Sequence, residues 1–164
     1  MLATANDFNY LMVGSKWNGE ILEQDGVNNV RLLHQGIDDT IFYPANVEKN
    51  FKDRFVVFSG GKLEYRKGQD IVIEAFKRFV KRHPDAMLMS AWFTAWVNTI
   101  GSLVINSPYI DSLPVNGDNG KTEIADWLEE MGIPKDNVFD LGFMPNYETP
   151  KALRQADVAI FPNR

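Results

Sequence analysis

The sequence predicts an α/β protein built on an open, doubly wound parallel sheet, and three observations carry that prediction. Phe55–Phe58 (FVVF) is an unbroken apolar run, the pattern of a strand covered on both faces. Asp70 to Arg82 then carries Ile71, Ala75, Phe76, Phe79 and Val80 at helical spacing. After Pro84 stops that helix, Ala86 to Met89 begins a second apolar run. Strand, helix and strand in this order form a crossover unit, and a crossover joins parallel strands.

The alternation continues on both sides of that unit. Tyr10–Val13 reads as a short strand. Lys16 to Gln24 reads as a helix with Ser15 as its N-cap and with Trp17, Ile21 and Leu22 on its apolar side. Asn29 to Leu33 reads as a second strand, and Gly36, Asp38, Asp39 and Pro44 mark turns. The polar stretch Asn46–Lys52 reads as the best linker candidate. Beyond the crossover unit, Ala86 to Ile110 holds no charged residue. Seven Ser, Thr or Asn residues interrupt it, with Gly101 and Pro108, so a buried strand and an apolar loop or short helix are expected rather than a membrane span. Asp111 to Gly120 is turn-rich, with Pro114, Gly117 and Gly120. Thr122 to Met131 returns to a helical pattern closed by Gly132, followed by a strand at Val138–Leu141, a helix over Asn146–Gln155 and a strand at Val158–Phe161.

Composition narrows the function classes. The 164 residues are long enough for a real core, and the 45% hydrophobic content is that of a globular chain. A net charge of −5 argues against general nucleic-acid binding. There is no cysteine, which excludes disulfides and thiol chemistry. The first residues show no secretory pattern, and a cytoplasmic location is expected. No His, Asp and Glu cluster has metal-ligand spacing. His34 and His83 fit structural or helix-end roles, and Asp38–Asp39 and Glu129–Glu130 fit turn and surface roles.

The stretch that invites chemistry is Ser59–Asp70, SGGKLEYRKGQD, at the carboxyl end of the first strand of the crossover unit. Ligands of doubly wound sheets bind at that edge. Gly60 and Gly61 let the backbone turn and approach a ligand, and the following helix directs its N-terminus there. Lys62 and Lys67 add two cations held apart, which suits a diphosphate. The pattern is neither a Walker A loop nor the Gly-x-Gly-x-x-Gly dinucleotide fingerprint. Spacing alone fits equally a tight turn that carries solvated lysines.

Four stretches in the same order resemble the nucleotide-sugar half of GT-B glycosyltransferases of the group 1, or family 4, type. They are Gly36-Ile37-Asp38 with Phe42 and Pro44; Gly61-Lys62-Leu63 with Lys67-Gly68 and Pro84–Leu88; VFDLGFM at Val138–Met144; and ADVAIFP at Ala156–Pro162. The resemblance runs from about Tyr10 to Arg164, with a gap over the apolar and turn-rich stretches. It implies a Rossmann-like, partial GT-B donor domain over 46–164, with 1–45 as the terminal βαβ part of the acceptor domain and the linker.

The resemblance also implies roles. Lys62, in the place of the family's arginine, and Lys67 would hold the donor diphosphate and act as the catalytic cations. Gly60 and Gly61 would approach the donor, and Phe143 and Met144 would lie near the base; ordinary core packing fits those two as well. It implies a retaining transfer of a sugar from a nucleotide-diphosphate sugar such as a UDP or GDP conjugate to an acceptor hydroxyl, without cofactor or essential metal. Two departures stand out. Ser90-Ala91-Trp92-Phe93 replaces the glycines usual after the second strand, and the family's acidic donor motif would lie past Arg164. A fragment inactive by itself is therefore expected. Rival readings are a GT-B-fold epimerase or phosphorylase fragment, and a non-catalytic nucleotide-binding or interaction module. In the last, Trp92 to Ile110 would make an oligomer or partner contact.

Overall fold

The structure is a computed structural model that describes residues 2–114 and 122–164. It divides into two compact units, one ending at Phe42 and the other running from Tyr43 to Arg164. Gly117 and Gly120 of the expected turns lie outside the described residues.

The first unit holds helix α1 (Leu2–Asn6), strand β1 (Leu11–Val13), helix α2 (Lys16–Gln24) and strand β2 (Val30–Leu32). The two strands pair in parallel, Leu11 opposite Val30. Ser15 caps α2 as its sequence predicts, accepting from the Asn18 amide at 3.2 Å. The expected apolar side of α2 needs correction: Trp17 and Ile21 are exposed. The helix turns Gly19 inward instead, against the Val13 and Val30 side chains, which a Cβ there would meet at ordinary contact distance. Helix α1 has no counterpart in the sequence reading.

The second unit holds a four-stranded parallel sheet in the order β5-β4-β3-β6. Its strands are β3 (Phe55–Gly61), β4 (Ala86–Trp92), β5 (Val138–Asp140) and β6 (Val158–Ala159). The period of two along β3 and β4 sorts their side chains between two layers. Val57, Ala86, Leu88 and Trp92 pack against helices α3 (Gln69–Val80), α4 (Gly101–Asn106) and α5 (Ile124–Glu130). Val56, Phe58 and Met89 pack against Ala152 of helix α6 (Thr149–Gln155). On α3 the buried stripe is Val72, Ile73, Phe76 and Val80, whereas Ile71 and Ala75 are exposed.

The uncharged stretch after Pro84 is a strand, a 3-10 turn at Val97–Thr99 and the short helix α4. Trp92, Leu103 and Ile110 are within the core and so are not available to a partner as the sequence reading expected, whereas Phe93, Trp96 and Ile105 of the same stretch are exposed. The Trp92 indole N–H is satisfied inside by Ser59 Oγ at 3.2 Å. The 46–52 segment is pinned rather than slack. Lys49 Nζ donates to the carbonyls of Gln155 and Ala156, and the Asn50 amide donates to Gln155 Oε1 at 2.7 Å. No helix among the described residues is long and apolar enough to cross a membrane.

Candidate functional site: a cleft at the carboxyl ends of β3 and β6

The strand order reverses at β3. The chain proceeds outward from β3 to β4 to β5, then α6 returns it to β6 on the far side of β3. In doubly wound sheets that reversal opens a crevice beyond the strand carboxyl ends. A cavity of about 640 Å³ lies there, and it is lined by Gly60, Gly61, Lys62, Lys67, Phe143 and Met144 together. All six residues singled out in the sequence therefore face one space.

The loop after β3 is held by contacts on each side. Gln69, buried at the start of α3, donates from Nε2 to the Lys62 carbonyl at 2.6 Å and accepts from the Glu64 amide at 3.4 Å. The Tyr65 amide donates to Ser102 Oγ of α4 at 3.0 Å. Residues Tyr65–Lys67 form a 3-10 turn that ends at Gly68, in the left-handed region at φ 72°. A Cβ at Gly68 would strike the Pro162 carbonyl. Beyond Pro162, Arg164 donates from its amide to the Arg66 carbonyl and pairs at two points with Asp70. Residues 162–164 thus brace the turn that carries Lys67.

The expected contribution of the α3 N-terminus is corrected by this geometry. The 3-10 turn intervenes and uses the Lys67 and Gly68 amides for its own bonds to Glu64 and Tyr65. Gln69 and Asp70, the first residues of α3, are buried and do not line the cavity. Cationic side chains rather than helix amides provide the positive charge. Among the described residues no carboxylate forms an ion pair with Lys62 or Lys67.

The opposite wall is aromatic. Phe143 is 66% exposed and meets Phe93 edge-on, with ring centroids 5.2 Å apart. Met144 is partly buried against the α6-side core and also reaches the cleft. Trp96 faces the cleft with Lys62 Nζ 4.1 Å above its ring centroid. Thr149 and Asn163 add polar groups that the sequence reading missed; no local motif marks either.

Two carboxylates, the buried Asp70 and the half-buried Asp140, flank the loops. Burial opposes charge on Asp70, yet hydrogen bonds from Arg164 and Ser107, with the Arg164 charge, hold its carboxyl below the ordinary value. Asp140, at the end of β5, is pushed up by burial, against a 2.6 Å hydrogen bond from Ser90 Oγ and another from the Gly142 amide. Among the described residues no three His, Asp or Glu side chains gather as metal ligands. Asp38 is a turn residue, accepting from the Thr40 amide and hydroxyl.

The profile of the Glycosyl transferases group 1 family matches residues 43–164. The chain belongs to that family. Among relatives of this chain, the mannosylfructose-phosphate synthase of Agrobacterium fabrum is 25% identical over 147 residues, covering 83% of this chain and 28% of its own. YtcC of Bacillus subtilis is 21% identical over 146 residues, covering 79% of this chain and 30% of its own. The chain thus spans less than a third of the length of these relatives. HepE from Anabaena, solved with UDP and glucose, superposes over 99% of this chain and 40% of its own, with a TM-score of 0.71 at 16% identity. A TarM variant from S. aureus, solved with UDP, fondaparinux and α-GlcNAc-glycerol, superposes over 99% of this chain and 27% of its own, with a TM-score of 0.66 at 16% identity. The α/β fold with parallel sheets is that of GT-B glycosyltransferases.

Proposed function

We propose that this chain supplies the diphosphate-holding part of a donor site, in an enzyme that moves a sugar from a nucleotide-diphosphate sugar to an acceptor hydroxyl with retention at the anomeric carbon. The observation that carries the proposal is the presence of two lysines, Lys62 and Lys67, that have no carboxylate ion-pair partner among the described residues, on one cleft beside Gly60 and Gly61. A leaving diphosphate gains charge as the glycosidic bond breaks. Cations set at that charge stabilise the transition state more than the ground state. They would serve there the electrostatic role that a divalent cation serves in other phosphate chemistry. Lysine lacks the planar fork of arginine, so Lys62 would act as a point charge rather than a two-pronged clamp. Phe143 and Met144 would bound the base. UDP is the first nucleotide to try, because two structural relatives were solved with it.

Calorimetric titration of the chain with UDP, GDP, ADP and their sugar conjugates tests the reading. We expect saturable binding of one nucleotide, weakened in Lys62→Ala and in Lys67→Ala by about 1.5–3 kcal/mol, the range for a hydrogen bond to a charged group. Binding that neither substitution changes would remove the lysines from the site. No binding, by this chain or by a chain extended past Arg164, would remove the donor-site reading altogether.

A further inference from the structure

We propose that Trp96 is a positioning residue that presents the Lys62 ammonium to the diphosphate; this rests on the donor-site reading above and adds to it the residue that compensates for lysine at position 62. Trp92 and Trp127 serve the core, at 1% and 2% exposure, whereas Trp96 is 60% exposed. Core packing does not account for an indole so placed. Its backbone is nevertheless fixed: the Trp96 amide donates to Thr94 Oγ1 at 3.1 Å, and its carbonyl accepts from the Thr99 hydroxyl at 2.8 Å and the Thr99 amide at 2.9 Å. A fixed backbone holds the ring at the rim of the cleft, and Lys62 Nζ sits 4.1 Å above its centroid. That is a cation–π contact.

The chemistry explains why a ring is useful there. Lysine at position 62 has a flexible stem and no fork to set its direction. An ammonium resting on an aromatic face spends one side on the ring and keeps N–H donors for the cleft. The ring thus limits where the charge goes without neutralising it, which a carboxylate partner would do. The ring and the lysine come from the loops after neighbouring strands, β4 and β3.

The test is a double-mutant cycle in UDP binding, with Trp96→Leu, Lys62→Ala and the double variant, and with Trp96→Phe as the conservative variant. Trp96→Leu is expected to weaken UDP binding about two- to five-fold, the span of an exposed cation–π contact. Trp96→Phe should recover part of the loss, and Trp96→Leu should have no effect once Lys62 is alanine. An independent signature comes from NMR of 13C-methylated lysines, which keep their charge. One dimethylammonium resonance should be displaced upfield by the indole ring current and return to the bulk position in Trp96→Leu. An equal loss with and without Lys62 would overturn the proposal and make the ring itself a ligand contact. Unchanged or tighter binding in Trp96→Leu would also overturn it. If Lys62→Ala binds UDP like the unaltered chain, or the unaltered chain does not bind, the donor-site reading falls and this inference with it. A Lys62 effect that persists without coupling to Trp96 removes only the role of the ring.

Discussion

Arg164 grips Asp70 at two points, Nη1 to Oδ1 at 2.9 Å and Nη2 to Oδ2 at 2.8 Å, across 94 residues of sequence. The carboxylate is fully buried and takes a third bond, from Ser107 Oγ at 2.6 Å. The guanidinium also lies 3.9 Å over the Tyr65 ring and donates to the Tyr65 carbonyl at 2.7 Å. One residue after β6 therefore fastens the first turn of α3 and the start of the Lys67 turn. The pair is structural in its contacts, and its consequence for the cleft is the position of Lys67.

Removing Arg164 leaves a buried carboxylate that keeps its bonds from Ser107 and the Ile71 amide but has lost its counter-charge. Arg164→Ala should cost about 3 kcal/mol in chemical denaturation, the low end for breaking a buried pair, because the arginine side is 29% exposed. The pH dependence has a definite sign. The folded-state pKa of Asp70 is lowered. Its contribution is therefore complete above the unfolded-state value near 3.9 and is lost as pH falls through the folded value. The acid limb of the stability profile should be shallower in Asp70→Asn than in the unaltered chain.

Asp140 carries the opposite sign. Burial raises its pKa in the folded chain, so between the unfolded-state value near 3.9 and the raised value the folded state binds more protons. Stability should fall as pH rises through that window. Asp140→Asn still offers an acceptor to Ser90 Oγ and to the Gly142 amide but cannot ionise. Its stability relative to the unaltered chain should therefore improve from pH 4 to pH 7 in urea denaturation. A parallel pair of profiles would remove Asp140 as a titrating group.

How much of this was legible in the sequence depends on the range of the interaction. The α2 N-cap needs only Ser15 and the amide three residues on, so it is readable locally; the helical period of α3 is readable too, but the stripe it buries holds Val72 and Ile73 and leaves Ile71 and Ala75 outside. Lys62 and Lys67 are readable for the same reason: strand end, glycines and lysines lie within a few residues. Trp17 and Ile21 mislead, because amphipathic spacing names a side without saying that anything covers it. The separation of Trp92 from Trp96 is hidden too. β4 runs on through Ser90 and Ala91 to Trp92, which pairs with Gly61, and only the register reveals that the first indole points into the core. The Asp70–Arg164 pair has no local signal at all.

Phe143 offers a clean separation of affinity from stability. At 66% exposure its main ring contact is the edge of Phe93. Phe143→Ala should change folding stability by no more than about 1 kcal/mol, the scale of one exposed aromatic pair. If the ring packs on a nucleotide base, the same variant should lose about 1–2 kcal/mol of UDP affinity, within the range for base–aromatic stacking. Unchanged affinity for UDP would return Phe143 to the surface.

Gly68 tests whether the brace by residues 162–164 sets the cleft. Two penalties meet at this position: φ is 72°, and a Cβ would collide with the Pro162 carbonyl. Gly132, with φ 91° and only ordinary contact with Lys77 Cε at 3.6 Å, carries the first penalty without the second. Gly132→Ala should therefore lose about 1 kcal/mol, and Gly68→Ala about 2 kcal/mol or more. The decisive comparison is binding. Relief of the collision must move either Pro162 or the 3-10 turn, and Lys67 moves with the turn. Gly68→Ala should weaken UDP binding under conditions where the chain remains folded, and Gly132→Ala should not. If both variants bind alike, the brace stabilises the unit without positioning the lysine.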